Sequence, residues 1–135
     1  MDNIKLEESF IKTNGIQLHT MMAGPQSGPP VILLHGFPEN WRCWIRQIPA
    51  LVEAGCRVIV PDQRGYNLSD KPLGVKAYRM DELVNDVIGL IDALGYEKVN
   101  LVGHDWGAAV AWVLANKHPE CAASAGDEKI PATRL

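Results

Sequence analysis

The sequence predicts an α/β fold built on a mostly parallel sheet, and three observations carry that reading. Val31-Ile32-Leu33-Leu34, Arg57-Val58-Ile59-Val60 and Val99-Asn100-Leu101-Val102 are short aliphatic runs of the kind that form strands buried on both faces. Between and after them lie segments with apolar residues at helical spacing. Gly55, Gly95 and Pro119 punctuate the ends of those segments. Strand and helix in alternation imply parallel strands joined by right-handed crossovers.

The elements follow in order. Phe10–Thr13 and Ile16–Met22 flank Asn14-Gly15, the strongest short-range signal for a hairpin. Pro25–Pro30 is a loop by composition. After the first aliphatic strand, Trp41, Trp44, Ile45, Ile48, Leu51 and Val52 suggest one helix, kinked or broken at Pro49 and ended by Gly55. Met80, Leu83, Val84, Val87, Ile88, Ile91 and Leu94 give a helix with one apolar face, stopped by Gly95. Ala108–Lys117 is a last helix, apolar nearly all round.

Composition narrows the function classes. The chain has 135 residues, with 13 Lys+Arg against 16 Asp+Glu and a net charge of −3, so it lacks the basic face that nucleic-acid binding needs. With 47% hydrophobic and 21% charged residues it is ordinary globular material. The first ten residues include Asp2, Lys5, Glu7 and Glu8 and offer no apolar core for a signal peptide. No apolar run approaches the ~20 residues that span a bilayer. Cys43, Cys56 and Cys121 show no CxxC spacing, so they read as free thiols in a reducing compartment, with neither a disulfide frame nor a metal site. A cytoplasmic protein without cofactor is the expectation.

In open sheets of this kind, chemistry gathers in the loops after the strands' carboxyl ends. Those loops read His35-Gly36-Phe37-Pro38-Glu39, Asp62-Gln63-Arg64-Gly65-Tyr66 and Gly103-His104-Asp105-Trp106-Gly107. The third fits a nucleophile elbow, G-x-Nu-x-G, between a predicted strand and a predicted helix. Gly103 and Gly107 remove side chains where the strand and helix backbones crowd, and Asp105 occupies the nucleophile position. An Asp with an ordinary pKa of ~3.9 is ionised at neutral pH without a base. Such a carboxylate suits displacement at a saturated carbon, which gives an ester; water must then cleave that ester with the help of a base and an oxyanion hole. Asp105 would equally suit a helix N-cap. The presence of HGFPE and DQRGY at the two other strand ends makes the nucleophile the better reading.

HGFPENW, DQRGYNLSDKP and VGHDWGAAVAW, in this order and spacing, resemble the α/β-hydrolase superfamily, and its epoxide hydrolase branch most closely. The resemblance runs from about Phe10 to about Glu120. It implies a three-layer fold, Asp105 as nucleophile and the amides of Phe37 and Trp106 as the oxyanion hole. It further implies a cis Phe37-Pro38 peptide and a substrate cleft that includes His35, Pro38 and Trp41. The substrate implied is a small apolar molecule such as an epoxide. Haloalkane dehalogenases also place Trp after Asp but usually show Asn at the position of Phe37. Fluoroacetate dehalogenases usually carry Arg where this chain has Trp106.

The resemblance also implies a late base and an acidic partner that the sequence does not contain. His19 is expected half-exposed on a strand, His35 in a structural role, His104 turned away from the elbow, and His118 at a helix end. Tyr66, Tyr78 and Tyr96 do not match the family's proton-donating tyrosines. From Cys121 to Leu135 no strand run is visible, so residues 1–120 are read as the N-terminal part of a hydrolase core and 121–135 as a disordered tail. On that reading the product is truncated after the elbow helix, and the strand at 99–102 has an unpaired edge open to self-association. A catalytically inactive fragment that acts through binding is then the third functional reading, beside epoxide hydrolase and dehalogenase.

Overall fold

The computed structural model describes residues 4–127. Six strands form one sheet: β1 (Glu7–Thr13), β2 (Ile16–Ala23), β3 (Pro30–Leu34), β4 (Arg57–Pro61), β5 (Val99–Gly103) and β6 (Ala122–Asp127). Their order is β1-β2-β4-β3-β5-β6. β1, β2 and β4 pair antiparallel, whereas β4, β3, β5 and β6 run parallel to one another. The Asn14-Gly15 turn closes the β1–β2 hairpin with φ of 50° and 79°, the left-handed pair that a tight hairpin requires.

Period-two alternation along the central strands divides the core into two layers. Ile32, Leu34, Ile59 and Leu101 face α2 (Met80–Ala93) and α3 (Trp106–Lys117). Val31, Leu33, Val58 and Val60 face Trp41, Trp44 and α1 (Gln47–Glu53). The three-layer arrangement is therefore present. It leaves the carboxyl ends of β3, β4 and β5 side by side, and the three motif loops issue from there.

Two elements differ from the sequence-based expectation. The single helix predicted over Trp41–Val52 is instead a 3-10 turn at Trp41–Trp44, capped by Asn40, followed by α1. Pro49 falls in the first turn of α1, where its missing N–H is not needed, so it neither kinks nor breaks that helix. The segment after Glu120 is the second correction. Residues 122–127 form β6, pair in parallel with β5 and complete its edge, with Ser124 Oγ donating to Asn100 Oδ1 at 2.7 Å. Ala-Ala-Ser-Ala-Gly-Asp has almost no intrinsic strand preference. The β5 ladder, and the seat of Ala122 and Ala125 against the α2–α3 layer, select the strand instead. The described sheet edge is thus β6 and not β5; residues 128–135 of the expected tail lie outside the described residues. Among the described residues, no helix is long and apolar enough to cross a membrane.

Candidate active site

The elbow between β5 and α3 places Asp105 at φ 55°, ψ −120°. This is a conformation that non-glycine residues rarely adopt and that functional sites tend to retain. Asp105 precedes the first residue of α3, yet its side chain makes no capping hydrogen bond, which disposes of the N-cap reading. The turn is possible because both flanking positions lack Cβ atoms. A Cβ on Gly103 would lie 2.4 Å from the Gly107 carbonyl, and one on Gly107 would lie 2.1 Å from the Leu34 carbonyl oxygen. Strand and helix backbones therefore meet at van der Waals distance, and the carboxylate is carried outward.

One amide contacts that carboxylate, and a second follows it directly in the chain. The Phe37 N–H donates to Asp105 Oδ2 at 3.3 Å, across the gap between the β3 and β5 loops. The Trp106 N–H lies in the first turn of α3, where the helix's own ladder does not use it. The Phe37-Pro38 peptide is cis, as the resemblance implied.

Asp105 opens onto a cleft of about 410 Å³ whose walls are largely aromatic: Phe37, Tyr66, Tyr78 and Trp106. Gln63, Arg64 and Leu83 complete the lining. The Arg64 guanidinium is taken up by Asp86, through two contacts of 2.9 Å, and by the Ala77 carbonyl, so its charge is neutralised within the wall. Burial and the nearby Asp105 charge push the Tyr66 phenol above its ordinary range and keep it protonated. Tyr66 also meets the ring of buried His35 edge-on, at 4.7 Å between centroids.

The expected cleft residues separate. Asp105, Phe37 and Trp106 come together, whereas His35, Pro38 and Trp41 are not among the lining residues. His35 is fully buried beneath the loop: Nε2 accepts the Gln63 N–H, so the proton sits on Nδ1 and is donated to the Gly36 carbonyl. Trp41 packs into the α1-side core with Trp44 and Val31, because its ring lies over the sheet face and not over the loop tips. His19 also departs from expectation. It is 2% exposed, held between the carboxylates of Glu8 and Asp62. His104 Nδ1 faces Glu39 at 3.0 Å, and His118 Nδ1 faces Glu120 at 3.4 Å. Tyr66 and Tyr78 are cleft residues that the sequence did not single out. Tyr66 was within reach, since it closes the DQRGY loop. Tyr78 sits 13 residues beyond Gly65 in the sequence and reaches the cleft by packing over that glycine, whose Cβ would meet the ring at 2.7 Å.

The sequence profile of one protein family, described as alpha/beta hydrolase fold, matches residues 29–127, most of the chain. The chain belongs to that family. Among curated relatives, this α/β-hydrolase is 58% identical over 120 residues to the AB hydrolase superfamily protein YfhM of Bacillus subtilis; the match covers 89% of this chain and 41% of that protein. It is 51% identical over 120 residues to Epoxide hydrolase B of Mycobacterium tuberculosis, covering 87% of this chain and 34% of the relative. Among solved structures, Epoxide Hydrolase A from Mycobacterium thermoresistibile superposes with a TM-score of 0.88 at 46% identity, over 90% of this chain and 39% of that one. The α/β-hydrolase described here is epoxide hydrolase-like. It spans between 34% and 41% of the length of these relatives.

Proposed function

We propose that the chain carries the nucleophile side of an epoxide hydrolase site and acts on a small apolar epoxide. The observation that carries the reading is Asp105 itself: an uncapped carboxylate on a left-handed elbow, touched by one amide and opening onto an aromatic cleft. A carboxylate oxygen attacks a ring carbon and forms a C–O bond to it. The epoxide C–O bond breaks, its electron pair stays on the oxygen, and that oxygen takes a proton from water. The product is a 2-hydroxyalkyl ester of Asp105. Tyr66 and Phe37 give the apolar reactant its walls, and specificity comes from shape more than from polar contacts.

Release of a diol requires water to add to the ester carbonyl. The oxygen that was Oδ2 then becomes an oxyanion, with the amides of Phe37 and Trp106 as its donors; loss of one such donor typically costs about 2.7–4 kcal/mol of barrier. Water also needs a base. The ring nitrogens of His19 and His35 are spent on fixed partners, and His104 and His118 face glutamates. We therefore read this 135-residue chain as able to form the ester and slow to cleave it. Its three cysteines are free thiols, which accords with a cytoplasmic setting.

Displacement of a halide is the second reading. Trp106 favours it, because an indole N–H beside the nucleophile suits a leaving halide. Incubating the chain with styrene oxide and, separately, with benzyl chloride, and weighing the intact protein, tests both. One equivalent added from the epoxide alone supports the proposal. Addition from the chloride alone transfers the site to the dehalogenase reading, and addition from neither leaves the chain a binding fragment.

A further inference from the structure

The Phe37 amide sits in the middle of a loop that its own side chain does little to hold, since Phe37 is 70% exposed. The loop leaves β3 at His35 and enters the 3-10 turn at Trp41. Two consecutive residues beyond β4 grip both of its ends. At one end the Gln63 backbone N–H donates to His35 Nε2 at 2.9 Å, and the Gln63 side-chain amide donates to the His35 carbonyl at 2.7 Å. At the other end Asp62 Oδ1 accepts the Trp41 N–H at 2.8 Å.

The gripping residues are themselves fixed from behind. Asp62 is fully buried, and its Oδ2 accepts from Asn67 Nδ2 at 2.8 Å and faces His19 Nδ1 at 2.7 Å. The Asp62 N–H donates to the His19 carbonyl, while Ser69 Oγ accepts the His19 N–H. A buried carboxylate with this many donors is expensive to assemble and is justified where a loop must be held in one place. At its far end the grip takes the backbone N–H of Trp41, whose ring belongs to the α1-side core with Trp44, Ile48, Val31 and Val58.

We propose that Asp62 and Gln63 form a positioning clamp for the Phe37 amide. By holding His35 and Trp41, the clamp sets that N–H against Asp105 Oδ2, so that the other carboxylate oxygen is the one presented to an electrophile. The inference rests on the reading of Asp105 as nucleophile for its kinetic consequence, but not for its geometric one. Neither clamp residue touches the reacting atoms in this role; both act through Phe37.

The test uses the full chain labelled with ¹⁵N and two variants, Gln63→Met and Asp62→Asn, with Thr13→Val as a destabilising control remote from the loop. Thr13 donates to the Asp86 carbonyl on the opposite layer. Two quantities are read: the Phe37 amide resonance with its hydrogen exchange, and the rate at which styrene oxide adds to Asp105. For whichever clamp variant folds, the Phe37 resonance moves and its exchange quickens. The saturating rate of addition falls about 10–100-fold, the scale of a misplaced reacting group. The half-saturating concentration changes less than about twofold. Thr13→Val leaves both readouts in place. An unmoved Phe37 resonance in the clamp variants overturns the proposal, as does an equal slowing in Thr13→Val. Absence of any adduct in the unsubstituted chain counts against the nucleophile reading alone, and the amide resonances still decide the clamp.

Discussion

The amide nitrogen of Phe37 lies 3.3 Å from Oδ2 of Asp105, joining residues 68 positions apart in the chain. That contact links the loop after β3 to the loop after β5, and it exists only because the two strands are parallel neighbours in register from Val31↔Asn100 to Leu34↔Gly103. The sheet order thus places the donor and the carboxylate together before any ligand arrives, which is the sense in which a site is preorganised.

Gly36 adjoins this contact and leaves no room for a side chain. A Cβ there would lie 2.6 Å from the Asp105 Cβ and 2.9 Å from Oδ2. Gly36→Ala is therefore expected to turn the carboxylate away and to slow adduct formation about 100-fold. The unfolding midpoint should fall as well, because the Asp105 Cβ and the His104 carbonyl oxygen, 2.8 Å from the added Cβ, move only with the backbone. Stopped time courses by intact mass, beside a urea titration, check both halves.

Gly107→Ala should act mainly on stability. Its Cβ would meet the Leu34 carbonyl oxygen at 2.1 Å, and that oxygen belongs to a central strand that cannot give way. A loss of about 3 kcal/mol is expected from overpacking of this kind, read from the urea midpoint at unchanged slope.

His35 makes stability depend on pH with a defined sign. Burial holds its imidazole below the ordinary value, and Nε2 is the acceptor of the Gln63 N–H. In the unfolded chain the ring takes a proton near pH ~6.5. In the folded chain it does so only at lower pH. The stabilisation is therefore complete above about 6.5 and is lost as pH falls toward the folded value. His35→Gln, which keeps an acceptor without titrating, should flatten the stability profile between pH 7 and 5 relative to the unsubstituted chain. Parallel profiles for the two proteins would contradict this.

Arg64 and Asp86 form a buried pair, 5% and 2% exposed, and burial pushes the Asp86 carboxyl up despite its partner. Removing Arg64 alone leaves that buried carboxyl without its cation, with the Asn14 amide still donating to it, and releases the Ala77 carbonyl that leads to Tyr78. Arg64→Met should cost about 3–5 kcal/mol, and adding Asp86→Leu should return most of it. Urea denaturation of the single and double variants measures the difference.

Much of this was legible in the sequence, and the failures have identifiable causes. Aliphatic runs fixed the central strands, and the spacing of Gly103 and Gly107 around Asp105 located the elbow, because backbone crowding leaves a direct mark on residue choice. β6 left none: its small residues are chosen by the neighbouring ladder and not by their own preference. Trp41 was drawn toward the cleft by its motif, yet the motif's turn directs the ring into the core. The burial of His19 depends on Glu8 and Asp62, residues brought to it by pairing across two different strands. Tyr78 reaches the cleft through a glycine on another loop. Such contacts are properties of the assembled sheet.

The central claim is that Asp105 attacks an electrophilic carbon, and one measurement addresses it directly. The chain is treated with styrene oxide, digested and mapped by mass, alongside Asp105→Ala treated identically. The account predicts a single equivalent of adduct, located on the peptide that carries Asp105, persisting through the digest and absent from the variant. Adduct on a cysteine or histidine in both proteins, with Asp105 unmodified, would contradict it.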